Sequence, residues 1–335
     1  MIKFLKKIIK NMGNKEFVDY VMSYKADPYQ IHFEDGGESY PDKNILLIRN
    51  DHSSHGLFAE LRMTLNYLAF ADRFHFTPYV RYNNNYLYYE EDNFLNTNNP
   101  FEYFFRQVSA LDDDLVDDSR NLVIAQNAHG DMIESLNKEC CSYEVSDAYI
   151  EEAARIVKTY IKFSDSVNVY LRETIQFVFQ ENESILGVHY RGTDFKSNYN
   201  NHPVAISLED TVEETKRQML EKKYKIIFLA TDDQGAVNKF EEEFSGKVFY
   251  FKDICRGNTD VSVAFSKNTR QYHHYKLGLE VIRDMYTLSK CDGLIAGMSQ
   301  VSTMARIFKR SYGEKYQNEI ILNHGINKNR KYFSK

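Results

Sequence analysis

The sequence predicts an α/β protein of two Rossmann-like domains facing across a cleft, and three observations predict it. First, compact apolar runs such as NILLIRN (44–50), KIIFLAT (225–231) and DGLIA (292–296) alternate with stretches whose apolar residues recur at helical spacing. That alternation implies parallel sheets with helices on both faces. Second, 335 residues are too many to grow comfortably around one core. Third, several of the apolar runs end in polar residues, HYRGTD at 189–194 and TDD at 231–233. Those are the carboxyl ends of strands, beyond which doubly wound sheets take their ligands.

The lead-in, residues 1–40, opens with MIKFLKKIIKNMG. Lys3, Lys6, Lys7 and Lys10 interrupt its apolar residues, so the stretch neither spans a bilayer nor reads as a signal peptide. Leu5, Ile8, Ile9 and Met12 recur opposite the lysines, which suits residues 1–13 to a short helix lying on anionic lipid, or to a helix capping a groove. An amino-terminal domain follows over 41–180. NILLIRN is its first buried strand, DHSSHG (51–56) a loop, and LFAELRMTLNYLAFADRF (57–74) a helix with Leu57, Leu61, Leu65, Leu68 and Ala69 on one side. FTPYVRY (76–82) is the next strand. Residues 83–120, rich in Asn, Tyr and Asp, read as loop and short helices; their first part, 82–99, is a surface loop or a segment that stacks sugars. NLVIAQ (121–126) is a further strand, and 146–181 holds one or two long helices.

A carboxyl-terminal domain spans 181–335. Its strand at 185–191 is followed by a loop and by a helix that starts at Ser207, with Asp210 completing a capping box. Then come strand 225–231, helix 234–244, strand 247–251, an irregular stretch, helix 275–290, strand 292–296, the turn GMSQ (297–300), helix 302–310 and strand 319–323.

Composition narrows the function. A net charge of −6 excludes a general nucleic-acid binder, so any phosphorylated ligand must be held by a few placed groups. Four cysteines without a CxxC pair make neither a disulfide framework nor a zinc site, and imply reduced thiols in the cytoplasm. DDDLVDD (112–118) reads as a solvated acidic surface rather than a metal site. His52 with His55, or His273 with His274, are too few ligands for zinc.

The strand ends carry the chemistry. His189 and Arg191, two apart on a strand, point the same way. An arginine beside a helix amino terminus suits a diphosphate, because its charge is permanent and its donors are forked. The turn GMSQVS supplies backbone N–H groups and the Ser299 hydroxyl, and Asp284 can accept two parallel hydrogen bonds from a guanine edge. Singly, each has a duller reading: a structural ion pair, a helix cap, a surface charge. Three in consecutive βα units point to a site.

In order and spacing, GVHYRGTDF…HP, IIFLATDDQ and EVIRDMYTLSKCDGLIAGMSQVSTMARI resemble the three carboxyl-half motifs of the α-1,6-fucosyltransferase family, which is related to the protein O-fucosyltransferases. HSSHGLFAELRMTLNYLAFADRFHFTPYV is similar to that family's amino-terminal glycine loop and helix. The resemblance covers residues 45–82 and 184–310 and implies a GT-B fold, GDP-fucose as donor substrate, no cofactor, no required metal and inversion at the sugar carbon. Carried over, it places His189 and Asp284 at the guanine and its ribose surroundings and Arg191 on the β-phosphate. Ser299 and Gln300 would line the phosphate site, Thr231 and Asp232 the nucleotide pocket, and Gly56 with Leu57 would offer backbone N–H groups. His55 would approach the donor phosphates. The chain departs from the pattern in three places: Phe195 precedes Lys196, KSNYNN (196–201) carries no carboxylate, and Gln300 replaces a serine. Asp194 is then the candidate base, or else it orients Arg191 or caps the loop. The expected reaction is fucose transfer to a glycan hydroxyl, with a bacterial surface polysaccharide or lipid-linked oligosaccharide as acceptor. The alternatives are another linkage, another GDP-sugar, or a silent GDP-sugar or glycan binder.

Overall fold

The computed structural model describes residues 13–23, 31–35, 37–50, 55–126, 139, 142–176, 178–179, 184–192, 199–257 and 270–329. Two compact units make up the chain: Met1–Ser142 with Arg155–Asp165, and Tyr143–Ala154 with Ser166–Lys335. Each is built on its own sheet, and the α/β class read from the sequence stands.

The first unit contains α1 (Lys15–Ser23), β1 (Ile31–Asp35), β2 (Ser39–Asn50), α2 (Leu57–Arg73), β3 (Thr77–Tyr82), a 3₁₀ turn at Phe94–Asn96, α3 (Asp113–Val116) and β4 (Ser119–Gln126). Its four strands lie in the order β1-β4-β2-β3. β2 runs parallel to both neighbours, whereas β1 is an antiparallel edge that the sequence did not announce. Ile45 to Ile48 are all buried, as expected of a strand covered on both faces. Ile45 and Leu47 join Tyr79, Leu111, Val116, Leu122 and Ile124 in one cluster, and alternation turns Leu46 and Ile48 to the opposite face.

The Asn- and Tyr-rich stretch is surface loop only in part. Tyr86, Tyr88 and Phe94 are buried with Phe101, Tyr103, Phe104 and Phe105 and build core, while Asn84, Asn85, Asn93 and Asn96 are exposed and Tyr89 is half-buried. Its amides have a definite task. β3 is an edge strand, and Val80 donates to Gln107 Oε1 (3.0 Å) while its carbonyl accepts from Asn99 Nδ2 (2.7 Å) and Gln107 Nε2 (2.9 Å). Tyr82 N donates to Asn99 Oδ1 (3.0 Å). Side-chain amides thus satisfy the open edge that a further strand would otherwise seek. The acidic run behaves as expected of surface: Arg81 binds Asp113 and Asp117, and Asp112 caps α3.

The long helical run resolves into α4 (Asp147–Tyr160) and α5 (Asp165–Ile175), interrupted where Phe163 pairs with Phe105 as a β-bridge. The second unit then alternates β5 (Ile185–Tyr190), α6 (Leu208–Lys222), β6 (Ile226–Thr231), α7 (Gln234–Glu243), β7 (Val248–Phe249), α8 (His273–Lys290), β8 (Gly293–Gly297), α9 (Gln300–Ser311) and β9 (Asn318–Leu322). All five strands are parallel, in the order β7-β6-β5-β8-β9. Leu186, Val188, Ile227, Leu229 and Ile295 pack against Val212, Val237 and Phe240. On the opposite face α8 comes so near to β5 that a Cβ at Gly187 would stand 3.1 Å from Leu288 and 3.2 Å from Cys291, so only glycine fits without displacement. Among the described residues no helix is long and apolar enough to cross a membrane; residues 1–12 of the basic amphipathic lead-in lie outside them.

Asn66 on α2 is 4% exposed, and among the described residues neither carboxamide atom has a hydrogen-bond partner. An orphaned buried amide costs about 1–3 kcal/mol. Asn66→Leu, of similar volume, should therefore raise the urea midpoint, adding about 1 kcal/mol of stability. A lowered midpoint would contradict this.

Candidate functional site

Strand order positions the site. From β5 the chain winds outward through β6 to β7, then returns to place β8 on the other side of β5. Helices diverge at such a reversal and leave a crevice beyond the strand ends. The pocket found there measures about 320 Å³, counting space open to solvent. His189, Tyr190 and Arg191 line it from β5, Gly297 and Met298 from the end of β8, and Pro203, Val204, Ile206 and Thr211 from the segment leading into α6.

Register brings the charged pair together. Tyr190 pairs with Thr231, so the residues that follow, Arg191 and Asp232, emerge side by side. Arg191 Nη1 lies 2.8 Å from Asp232 Oδ2, with side chains 29% and 16% exposed. The other oxygen, Oδ1, accepts from Gly192 N at 2.9 Å. A Cβ at Gly192 would stand 2.7 Å from the Tyr190 ring and closer still to the Asp233 side chain, so the turn after Arg191 requires glycine. Asp233 caps α7, accepting from Gly235 N (2.7 Å) and Ala236 N (3.3 Å), and buried Thr231 accepts from Asp233 N (3.1 Å). The TDD sequence is thus divided between a helix cap and a clamp on the arginine.

His189 is 5% exposed, and burial, with Arg191 close by, lowers its pKa to about 4. Its Nδ1 lies 3.3 Å from Ser299 Oγ. Ser299 caps α9 in a box with Ser302: Ser299 Oγ accepts from Ser302 N (3.0 Å), and Ser302 Oγ accepts from Ser299 N (3.1 Å). Since Ser302 Oγ can donate to Gly297 O (2.8 Å), the Ser299 proton is available to Nδ1. With that direction the His189 proton sits on Nε2, with the reverse it sits on Nδ1 and points to Ser299, and in both the ring is neutral.

The structure therefore gathers His189, Arg191, Thr231, Asp232 and Ser299 at one strand-end cluster, with half-buried Gln300 as the first residue of α9. Asp284 is not among the residues lining this pocket, though Arg256, one of its neighbours, precedes Gly257, whose N–H donates to Asp232 O at 2.9 Å. Asp284 lies on α8 one turn from Glu280, and its charged neighbours are Arg283, Arg256, Glu280 and Asp253. Burial raises its carboxyl to about 7 against the opposing pull of Arg283 and Arg256. Arg283 itself is buried between the rings of Phe251 (3.9 Å) and Tyr170 (5.2 Å) and holds Asp253 with both Nη atoms (3.0 and 2.7 Å). Gly56 and Leu57 lie in the other unit: Gly56 caps α2 and Leu57 is buried core. His55 Nδ1 pairs with buried Glu60 at 2.9 Å. Asp194 lies outside the described residues. Sequence reasoning missed Gly192, whose signal was its place directly after the strand-end arginine, and the apolar wall Pro203–Ile206, which read as plain loop.

No protein-family model matches the chain. No curated protein matches it either. Among solved structures it is similar to a NodZ α-1,6-fucosyltransferase soaked with GDP-fucose, at 16% identity over 79% of this chain and 92% of that one, with a TM-score of 0.47. It is likewise similar to fucosyltransferase NodZ from Bradyrhizobium (15%, 80% and 93%, 0.46) and to POFUT1 in complex with GDP-fucose (13%, 87% and 100%, 0.47). A likeness at this level carries nothing about activity, and the pocket stands on its own geometry.

A histidine held neutral by its surroundings leaves a mark on stability. Between pH 6.5 and about 4 the unfolded chain binds a proton at residue 189 that the folded chain does not. Stability therefore falls as pH falls through that window, by on the order of 3 kcal/mol. His189→Gln should remove this component; Asp284, whose raised carboxyl acts with the opposite sign, is common to both proteins and cancels. Urea unfolding at pH 7 and pH 4.5 measures it, and an identical pH slope in the two proteins would contradict the burial argument.

Proposed function

We propose that the chain is a GDP-sugar-dependent glycosyltransferase that moves fucose from GDP-fucose to a glycan hydroxyl, with inversion and without a metal. The supporting observation is the switch-point pocket, where a permanently charged, braced arginine stands beside a neutral histidine and the capped start of α9. The motif resemblance supplies the identity of the donor.

Each residue then has a physical role. Breaking the bond between the sugar carbon and the β-phosphate leaves negative charge on the diphosphate. Arg191, braced by Asp232, meets that charge without reorganising, which is how a fixed cation lowers a barrier. With its proton on Nε2, neutral His189 donates a hydrogen bond and does not compete with Arg191 as a second cation. Ser299 accepts the α9 cap bond from Ser302 N and lies against His189 Nδ1, so its part is to hold the His189 ring and the helix start. Asp284, whose carboxyl is destabilised as an anion, gains most from a ligand bringing two N–H donors, as a guanine edge does. Asp194 remains the proposed base for the acceptor hydroxyl. The acceptor is a glycan or a lipid-linked oligosaccharide.

Arg191→Ala should lower transfer from GDP-fucose by roughly 10²–10³-fold and weaken GDP binding at least tenfold, while costing only about 1 kcal/mol of stability. Near-normal turnover in that variant would refute the role. Because KSNYNN brings no carboxylate, a silent nucleotide-sugar binder is the competing reading; wild-type protein that binds GDP and transfers to no acceptor would favour it.

A further inference from the structure

One wall of the pocket is not made by the sheet. Pro203, Val204 and Ile206 belong to the segment between β5 and α6, and the hydrogen bonds that tie this segment down run to residues past β9. Asn201 N donates to Asn327 O (2.9 Å), Asn327 N to His202 O (2.8 Å) and Val204 N to Gly325 O (2.9 Å). Pro203 pairs with Ile326 as an antiparallel bridge. Proline has no N–H, so its carbonyl is its one backbone hydrogen-bonding group. The Asn327 carboxamide takes it: Nδ2 donates to Pro203 O at 3.1 Å and to His202 O at 3.2 Å.

The clip is itself anchored. Gly325 has φ +88°, a left-handed conformation that favours glycine, and its N–H donates to Asn323 Oδ1 at 2.7 Å. Asn323 Nδ2 in turn donates to Glu144 Oε1 at 2.9 Å. A sheet-borne wall and a clipped wall thus line one pocket, and the second is held by backbone pairs to residues past β9 together with the Asn327 carboxamide.

We propose that Asn327 is a positioning residue of the ligand site: by holding the carbonyls of His202 and Pro203 it fixes the Pro203–Ile206 wall of the pocket that Arg191 also lines. This rests on the nucleotide-sugar reading of the same pocket. With the carboxamide gone, the backbone pairs remain but Pro203 O loses its Nδ2 donor, and a ligand must restrict the motion this frees in the wall, which is subtracted from its affinity.

Calorimetry with GDP, on the full chain, tests this. Asn327→Ala should raise the GDP dissociation constant about tenfold with stoichiometry near one and a nearly unchanged unfolding midpoint, and the Val204 amide should exchange faster. Asn327→Asp, which turns an acceptor toward two carbonyls, should do the same or more. A role in folding alone would lower the midpoint and the stoichiometry at constant affinity, and that result overturns the proposal. Should Asn327→Ala fail to fold, Gly325→Ala strains the clip from outside the pocket and must give the same affinity loss; unchanged affinity there overturns it equally. Wild-type protein that binds no GDP overturns the functional reading instead. In that case Val204 exchange still judges the clip, and unchanged exchange in Asn327→Ala refutes it.

Discussion

The ion pair between Arg191 and Asp232 is the interaction on which the head of the second sheet depends. Its contribution to stability is small, since a partly exposed pair adds at most about 1 kcal/mol. Its effect is directional. Both oxygens of Asp232 are engaged, one with the guanidinium and one with the Gly192 amide, so the strand end and the side chain are fixed by one carboxylate. That carboxylate is in turn placed by sheet register, because pairing of Tyr190 with Thr231 sets the next two residues abreast. Chain topology, register and charge placement form one sequence of causes.

Among the described lining residues Arg191 is the one permanent cation, and beside a neutral histidine it makes a different electrostatic device from a basic groove. Burial keeps His189 uncharged near neutral pH, so the positive charge is concentrated on Arg191, at the point where the chemistry needs it. Apolar Pro203, Val204, Ile206 and Met298 line the same space and lower the polarity around that charge on one side. An acidic chain can therefore hold a phosphorylated ligand locally, which agrees with a net charge of −6.

Much of this was legible in the sequence, and what was not has identifiable causes. The second unit reads cleanly because its strands are short apolar runs bounded by helix caps such as Ser207 and Asp233, whose side chains do accept from Asp210 N, and from Gly235 N and Ala236 N. The first unit reads poorly where burial is carried by aromatics set among amides. Asn99 and Gln107 look like loop residues, yet they serve as a substitute strand along β3, and the rings between them fill the core. β1 was missed because IHFED has no apolar run and joins the sheet only as an antiparallel edge. At the site, strand ends were visible as polar residues after apolar ones. The long-range partners were not: Asp284 sits among Arg256, Arg283, Glu280 and Asp253, a grouping that spacing along the chain cannot reveal.

The most direct measurement is a crystal structure of the protein grown with GDP. It should place a β-phosphate oxygen within about 3 Å of the Arg191 guanidinium while Asp232 keeps its hold on the same side chain. An ordered diphosphate elsewhere, with Arg191 still turned only to the protein around it, would contradict the whole reading of this pocket.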